Sequence, residues 1–155
     1  NGVIASILIP ANKPLYDFYG KLGYETYFFA NKYIYKAFDK VDEINECNDV
    51  KILSRIYNGD IVRSDAYWQT QLNMYKALGG KVFCYNNAYA IVSDKVEELM
   101  YLNDNDKEIL LNSICKLLKV DAVEVTEIGN SSPVGMMKKH CEFNCGNMYM
   151  GLMYN

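Results

Sequence analysis

The opening of the chain most restricts its fold, because a strand and a helix follow one another with only a short connection. Residues 3–9 form an almost continuous apolar run, which predicts a strand buried on both faces. A helix is predicted over residues 13–22, since Asn12 is a favourable N-cap and Pro14 falls in the first turn. Gly23 is a typical residue just past a helix C-terminus.

Short periodic segments then alternate with turn signals. Residues 25–29 and 33–38 predict two aromatic-rich strands joined by Ala30-Asn31-Lys32, and the pattern restarts after Asp39. Two helices are predicted first, one capped by Asp49 and ended by Asn58-Gly59, and one capped by Ser64 or Asp65 and ended by Gly79-Gly80. Three strands follow, at 81–86, 88–93 and 97–102, and the first two are joined tightly at Asn86-Asn87. The last predicted elements are a helix at 106–119 with Asn105 and Glu108 as its capping box, a strand at 121–127, a loop through Pro133 and a strand at 147–154.

Size, charge and cysteine content exclude several classes of protein. The 155 residues, half of them apolar, suffice for one ordinary domain or for one domain with part of another. The net charge of -3 and the absence of a basic stripe argue against nucleic-acid binding. The odd number of cysteines, five, indicates reduced thiols in a cytoplasmic protein. No apolar run is long enough to span a membrane, and the first residues already have the pattern of folded protein, so we expect a cut N-terminus.

The segment from Asn12 to Tyr24 resembles the last conserved segment of the GNAT N-acetyltransferases. The Asn, the Phe18-Tyr19 pair and the Leu22-Gly23-Tyr24 ending stand in register with that segment, whereas Leu15 departs from the usual small residue. The preceding strand is similar to the family's fifth strand. By this resemblance, residues 1–35 form the C-terminal remnant of a first GNAT domain.

The rest of the chain resembles a second, degenerate GNAT-like domain, over residues 36–155. The order of two helices, three strands, a helix and a strand is similar to that of the family. The endings Pro133–Met137 and Met148–Leu152 resemble those of bacterial tandem-GNAT proteins of the enhanced-intracellular-survival type. The expected fold is α/β (α+β), with a mixed, mostly antiparallel sheet flanked by helices.

The resemblance implies an N-acetyltransferase that moves acetyl from acetyl-CoA to a small-molecule or peptide amine. The family holds the coenzyme pyrophosphate on backbone N–H groups of a glycine-rich turn that opens a helix. The equivalent stretch here, residues 102–108, has no glycine and carries three carboxylates. We therefore expect the second domain not to bind CoA phosphates, and we expect the first domain's pyrophosphate turn upstream of Asn1. This chain alone is expected to be inactive.

Tyr19 and Asn12 are the site residues that the resemblance implies. Tyr19 takes the role of the general acid that protonates the leaving CoA thiolate, and Asn12 that of a contact to the pantetheine arm. Each has a structural alternative, a core aromatic for Tyr19 and a simple helix cap for Asn12. In the second domain, Trp68 and Tyr67 are candidates to line the amine site, although aromatic residues at this spacing are more often helix core.

Two other hypotheses come from the residues themselves. His140, Cys141 and Cys145 have the side-chain types of metal ligands, but a closed zinc site needs four ligands and no second cluster exists, so a polar loop is favoured. His140 is also the single histidine, and no partner that would orient it as a catalytic base can be identified.

The alternative function is a non-catalytic GNAT-fold binding or dimerisation module, with a homo-oligomer interface on the second domain.

Overall fold

The computed structural model describes residues 2–38 and 41–143. Within these ranges the helices and strands are, in chain order, β1 Ala5–Leu8, α1 Lys13–Lys21, β2 Glu25–Lys36, β3 Asn45–Glu46, α2 Val50–Ile56, α3 Asp65–Ala77, β4 Lys81–Tyr85, β5 Ala88–Val92, β6 Val96–Tyr101, α4 Asp104–Leu118, β7 Ala122–Ile128 and β8 Ser132–Lys139. None of the helices described is both long and apolar enough to cross a membrane.

The eight strands form one sheet in the order β1-β8-β2-β7-β6-β5-β4-β3. The pairs β1–β8, β2–β8, β3–β4, β4–β5 and β5–β6 are antiparallel, whereas β6 and β7 run parallel. The parallel pair requires a crossover, which α4 supplies. This architecture confirms the predicted class, a mixed and mostly antiparallel sheet flanked by helices.

The chain forms two compact units. Among the described residues, unit 1 contains 2–31, the short segment Gly59–Ile61 and 128–143. Its core is built around Phe28 and Met137, which are 0% and 3% exposed. Unit 2 contains Lys32–Asn58 and Val62–Glu127.

The core of unit 2 lies between α4 and strands β4 to β7. Leu110, Leu111 and Ile114 of α4 are completely buried, and they pack in one cluster with Ala90 of β5 and Val125 of β7. Burying side chains of this size removes a large apolar area from water, at roughly 25 cal/mol per Å². This packing fixes the ends of β6 and β7, where a candidate site of unit 2 lies.

Local sequence signals correctly predicted the caps of α1 and α2, the cap of α3 as one of two residues, and the hairpin. Asn12, Asp49 and Ser64 cap α1, α2 and α3, and each side chain accepts a backbone N–H of the first turn. Gly23 has a φ of +85°, the left-handed conformation expected after a helix. Asn86 has a φ of 46°, which closes the tight turn between β4 and β5.

Two predictions about the strands of unit 1 were wrong. The first strand is not buried on both faces, because β1 lies at the end of the sheet order and Ile7 is 45% exposed. The expected loop through Pro133 is strand β8, which pairs with β1 on one side and β2 on the other. Pro133 stands near the start of β8, where a missing N–H disturbs the ladder least.

Two further predictions need correction, and a third cannot be compared. Residues 25–29 and 33–38 are not separate strands, because Glu25–Lys36 is one strand with register shifts near Phe28. The cap of α4 is Asn103 rather than Asn105, because the Asn103 side chain accepts the N–H of Asp106. The strand predicted at 147–154 lies outside the described residues.

Candidate functional site

Asn12, the predicted cofactor contact, is the N-cap of α1 in unit 1. Its backbone is extended, and its Oδ1 accepts the N–H of Leu15 at 3.2 Å. The first turn of α1 contains no acidic residue, and no residue of this helix is buried. The start of α1 therefore exposes a neutral amide beside backbone N–H groups, and a helix N-terminus favours negative charge.

Tyr19, the predicted general acid, lies seven positions after Asn12, which is about two helical turns. Both residues therefore lie on the same side of the helix. The Tyr19 ring is half-buried and meets Phe18 and Tyr24 edge to face, at centroid distances of 5.3 Å and 5.7 Å. Its hydroxyl makes no hydrogen bond with any residue that the structure describes. The structure thus combines a ring held by aromatic packing with a hydroxyl that can still donate.

Trp68 and Tyr67, the predicted substrate contacts, are neighbours on α3 in unit 2 but differ in exposure. Trp68 is 0% exposed, and its ring is packed edge to face between Tyr57 and Tyr89 at 5.8 Å and 6.1 Å. Tyr67 is half-buried, with its ring centroid 6.0 Å from the guanidinium carbon of Arg63. Trp68 is thus a core residue in this structure, whereas part of Tyr67 remains open to solvent.

A buried ion pair lies against these aromatic residues. The Arg63 guanidinium donates two hydrogen bonds to the Glu98 carboxylate, at 2.7 Å and 2.6 Å, and the side chains are 2% and 0% exposed. The Tyr89 hydroxyl donates a third hydrogen bond to Glu98 at 2.7 Å. The Arg63 guanidinium carbon lies 4.0 Å from the Tyr57 ring centroid and 4.7 Å from that of Trp68.

The surroundings of Arg63 favour its charged form. Burial alone lowers the pKa of Arg63, but the hydrogen bonds and the charge of Glu98 outweigh burial and raise that pKa above its usual value. Sequence reasoning missed the pair because its members are 35 positions apart. The available signal was Glu98 itself, a carboxylate inside the otherwise apolar end of β6, Glu98-Leu99-Met100.

The start of α4 is the position at which the resemblance would place coenzyme phosphates. Here Asp106 lies in the first turn of the helix, and only 5% of this residue is exposed. Its carboxylate accepts hydrogen bonds from the Asn103 side chain at 2.7 Å, the Asn87 backbone at 3.2 Å and the Asn86 side chain at 3.3 Å. Burial raises the pKa of Asp106, but these hydrogen bonds outweigh burial and lower it. The start of α4 therefore already holds a carboxylate, fixed by asparagine side chains and by the turn between β4 and β5.

A second charged cluster lies at the carboxyl ends of the parallel strands β6 and β7. Lys107 Nζ lies 2.9 Å from Glu127 Oε2, and the two side chains are 18% and 12% exposed. The hydroxyl of Tyr33 donates to Glu127 at 3.0 Å, and Lys107 Nζ donates to the Tyr101 hydroxyl at 3.1 Å. Burial first, and then the charge of Glu127, raises the pKa of Tyr33 to about 12. The charges of Lys107 and Glu127 at these strand ends are therefore paired with one another.

The histidine–cysteine segment is only partly described, since Cys145 lies outside the described residues. His140 Nε2 is 2.7 Å from the Ser6 hydroxyl, and Cys141 is exposed. Within residues 2–38 and 41–143, no group of three or more His, Cys, Asp or Glu side chains could hold a metal ion.

Comparison with known proteins gives one structural relationship. No family model matches this sequence, and no curated protein matches it. The chain is similar to the crystal structure of a putative acetyltransferase from Pyrococcus horikoshii, determined at 2.25 Å, with a TM-score of 0.63 and 13% sequence identity. The match covers 98% of this chain and 59% of that chain, so this chain spans less than two thirds of its structural neighbour. At this identity the likeness shows a shared fold, and the fold is GNAT-like.

Proposed function

We propose that this chain is the C-terminal portion of a tandem N-acetyltransferase of the GNAT type, which moves acetyl from acetyl-CoA to a small-molecule or peptide amine. The observation that carries the proposal is the arrangement of α1. This helix has an amide-capped, acid-free N-terminus at Asn12 and a tyrosine hydroxyl at Tyr19 with no hydrogen bond among the described residues. The GNAT-like fold supports the same assignment.

Tyr19 supplies the proton in the proposed mechanism. The amine nitrogen attacks the thioester carbon and gives up a proton to solvent, and the tetrahedral species collapses as the carbon–sulfur bond breaks and the sulfur takes a proton from Tyr19, which regains one from solvent. A tyrosine hydroxyl ordinarily remains protonated at neutral pH, so it can donate as the thiolate forms. Asn12 is proposed to contact the pantetheine arm while it caps the helix. The turn that binds the coenzyme pyrophosphate is assigned to sequence upstream of Asn1.

Unit 2 is proposed to shape the amine site rather than to bind coenzyme. The first turn of its candidate helix carries the carboxylates of Asp104 and Asp106, which would repel a coenzyme phosphate there. Tyr67 is the candidate for an amine contact, because Trp68 is completely buried.

The central test is the substitution Tyr19→Phe in the full-length protein, assayed with acetyl-CoA and an amine found by screening. Removal of the hydroxyl preserves the ring, so we expect kcat to fall by roughly 10²-fold or more with little change in KM for acetyl-CoA. Tyr16→Phe is a matched control, because Tyr16 is a half-buried tyrosine of the same helix. A correctly folded Tyr19→Phe enzyme with nearly full kcat would exclude the hydroxyl as the proton donor.

The alternative is a non-catalytic binding or dimerisation module, and the acidic start of α4 favours it for unit 2. Calorimetric titration of the 155-residue chain and of the longer protein with acetyl-CoA distinguishes the acetyltransferase from the non-catalytic module. We expect no measurable binding by this chain and clear binding by the longer protein. Micromolar affinity of this chain alone would contradict the assignment of the pyrophosphate turn to upstream sequence, and no binding by the longer protein would support the module.

A further inference from the structure

Unit 1 contains a hydroxyl and an imidazole in direct contact outside the α1 site. The Ser6 Oγ lies 2.7 Å from His140 Nε2, within the range of a good O–H···N hydrogen bond. In the neutral tautomer with its proton on Nδ1, the imidazole accepts the serine proton at Nε2. A nucleophile within hydrogen-bond reach of a base is the first geometric requirement of covalent acyl transfer.

The sheet holds both members of this pair in position. Ser6 lies in β1 opposite Lys138 of β8, so that His140 is diagonal to Ser6 across the antiparallel pair. The His140 backbone N–H donates to the carbonyl of Ile4 at 2.9 Å, which continues the ladder by one step. The contact is therefore set by strand register rather than by a loose surface loop.

His140 also lines an open depression at the protein surface. This depression, of about 760 Å³, is lined by Lys139, His140, Cys141, Glu142 and Phe143. The Lys139 ammonium lies 2.9 Å from the Tyr27 hydroxyl and 4.7 Å from that ring's centroid. A cation therefore lies beside His140 at a surface that a small ester can reach.

We propose that Ser6 and His140 form a nucleophile–base pair that accepts an acyl group from small activated esters or thioesters and hydrolyses it. Ser6 Oγ bonds to the acyl carbon as His140 Nε2 takes the serine proton. The bond to the leaving alkoxide or thiolate breaks, and His140 returns the proton to that group. Water then attacks the acyl-serine with His140 as base, which releases the acid and restores Ser6. This activity is independent of the amine acetylation proposed above.

The test uses p-nitrophenyl acetate and the 155-residue chain. Thiols also attack this ester, so every variant is made in a Cys141→Ser/Cys145→Ser background. We expect one acetyl group per chain by intact mass, located on Ser6 by peptide mapping. Ser6→Ala and His140→Asn should each slow acylation at least about 10-fold, a modest effect for general base catalysis. Ser6→Cys should keep acylation, and Ser54→Ala, which removes an exposed serine of α2, should leave the rate unchanged.

The variants separate the pair from simpler chemistry. If His140→Asn abolishes the reaction and Ser6→Ala does not, the imidazole itself is the nucleophile and the proposal is wrong. Equal rates in all variants, or acetyl groups found only on lysines, overturn it as well. Circular dichroism of each variant checks that β1 and β8 remain folded. The ester assay contains neither acetyl-CoA nor an amine, so failure of the acetyltransferase proposal is recognised separately, in the Tyr19→Phe assay of the full-length protein.

Discussion

Removal of one member of the Arg63–Glu98 pair should destabilise unit 2 strongly. Glu98→Gln removes the carboxylate that accepts two hydrogen bonds from the Arg63 guanidinium, whose side chain is only 2% exposed. Breaking a buried pair in this way costs about 3–5 kcal/mol. This loss is a large fraction of the total free energy of unfolding of a typical domain, which is about 5–15 kcal/mol. At roughly 2–4 °C per kcal/mol for a chain of this length, we expect Tm to fall by about 6–20 °C.

Removal of both charges should cost much less than removal of one. Arg63→Met/Glu98→Leu removes both members of the pair, and such replacements are often neutral or stabilising. Tyr89 loses the Glu98 carboxylate that accepts its hydroxyl at 2.7 Å, and loss of a hydrogen bond to a charged group costs about 1.5–3 kcal/mol. Addition of Tyr89→Phe should recover that loss. The coupling between Arg63 and Glu98 is then the difference between the double variant and the sum of the single variants.

The chain contains its own probe for this measurement. Trp68 is its single tryptophan, completely buried with its ring 4.7 Å from the Arg63 guanidinium carbon, so urea unfolding followed by tryptophan fluorescence reports on this cluster. Arg55→Met is the control, because it removes an exposed arginine from α2. A Glu98→Gln variant within about 1 kcal/mol of the parent would refute the reasoning, and so would additive single substitutions.

Three shorter predictions concern the other described charges and thiols. Because the pKa of Asp106 is lowered in the folded protein, its carboxylate stabilises the fold above the ordinary pKa of 3.8, and this stabilisation is lost as pH falls below that value. The free energy of unfolding of Asp106→Asn should therefore depend less on pH in this acid range than that of the parent. Urea titration at several pH values measures the difference. Lys107→Met should lower the free energy of unfolding of unit 2, measured in urea, by roughly 1–3 kcal/mol. This loss is smaller than that expected on breaking a fully buried ion pair, because Lys107 and Glu127 are partly exposed. The double variant Glu127→Gln/Lys107→Met should recover part of the loss. Burial first, and then contact with a neighbouring thiol, raises the pKa of Cys84. Iodoacetamide at pH 8 should therefore alkylate the exposed Cys141 much faster than Cys84. Peptide mass spectrometry measures both rates, and equal rates would contradict this order.

The features that sequence predicted well are those decided within a few residues. A helix cap needs one side chain near three backbone N–H groups, so Asn12, Asp49 and Ser64 could be identified locally. The turn at Asn86-Asn87 likewise depends on one residue that tolerates the left-handed conformation. Even here the cap of α4 is Asn103 and not the predicted Asn105, because both stand three positions before an acidic residue and the local pattern does not separate them.

Features decided by a distant partner were not predictable in the same way. The segment around Pro133 and Gly135 has the composition of a loop, and it becomes a strand because β1 and β2 supply hydrogen-bond partners from more than 100 residues earlier. The apolar run of β1 indicated burial on both faces, but burial depends on neighbours that a single segment does not encode. The Ser6–His140 contact, across 134 positions, arises from the same long-range register.

The two helix N-termini discussed above show why a shared fold leaves function to be argued from individual side chains. At α1 the cap is a neutral asparagine and the first turn has no carboxylate, so the partial positive charge of the helix end remains available to an anionic ligand. At α4 the cap is again asparagine, but the first turn carries the carboxylates of Asp104 and Asp106, and Asp106 accepts three hydrogen bonds. Two carboxylate or phosphate charges about 4 Å apart repel by roughly 4 kcal/mol near a protein surface, enough to reduce affinity by nearly 10³-fold. Acidic residues in the first turn are therefore sufficient to disfavour an anionic ligand at a helix N-terminus that has the same kind of cap.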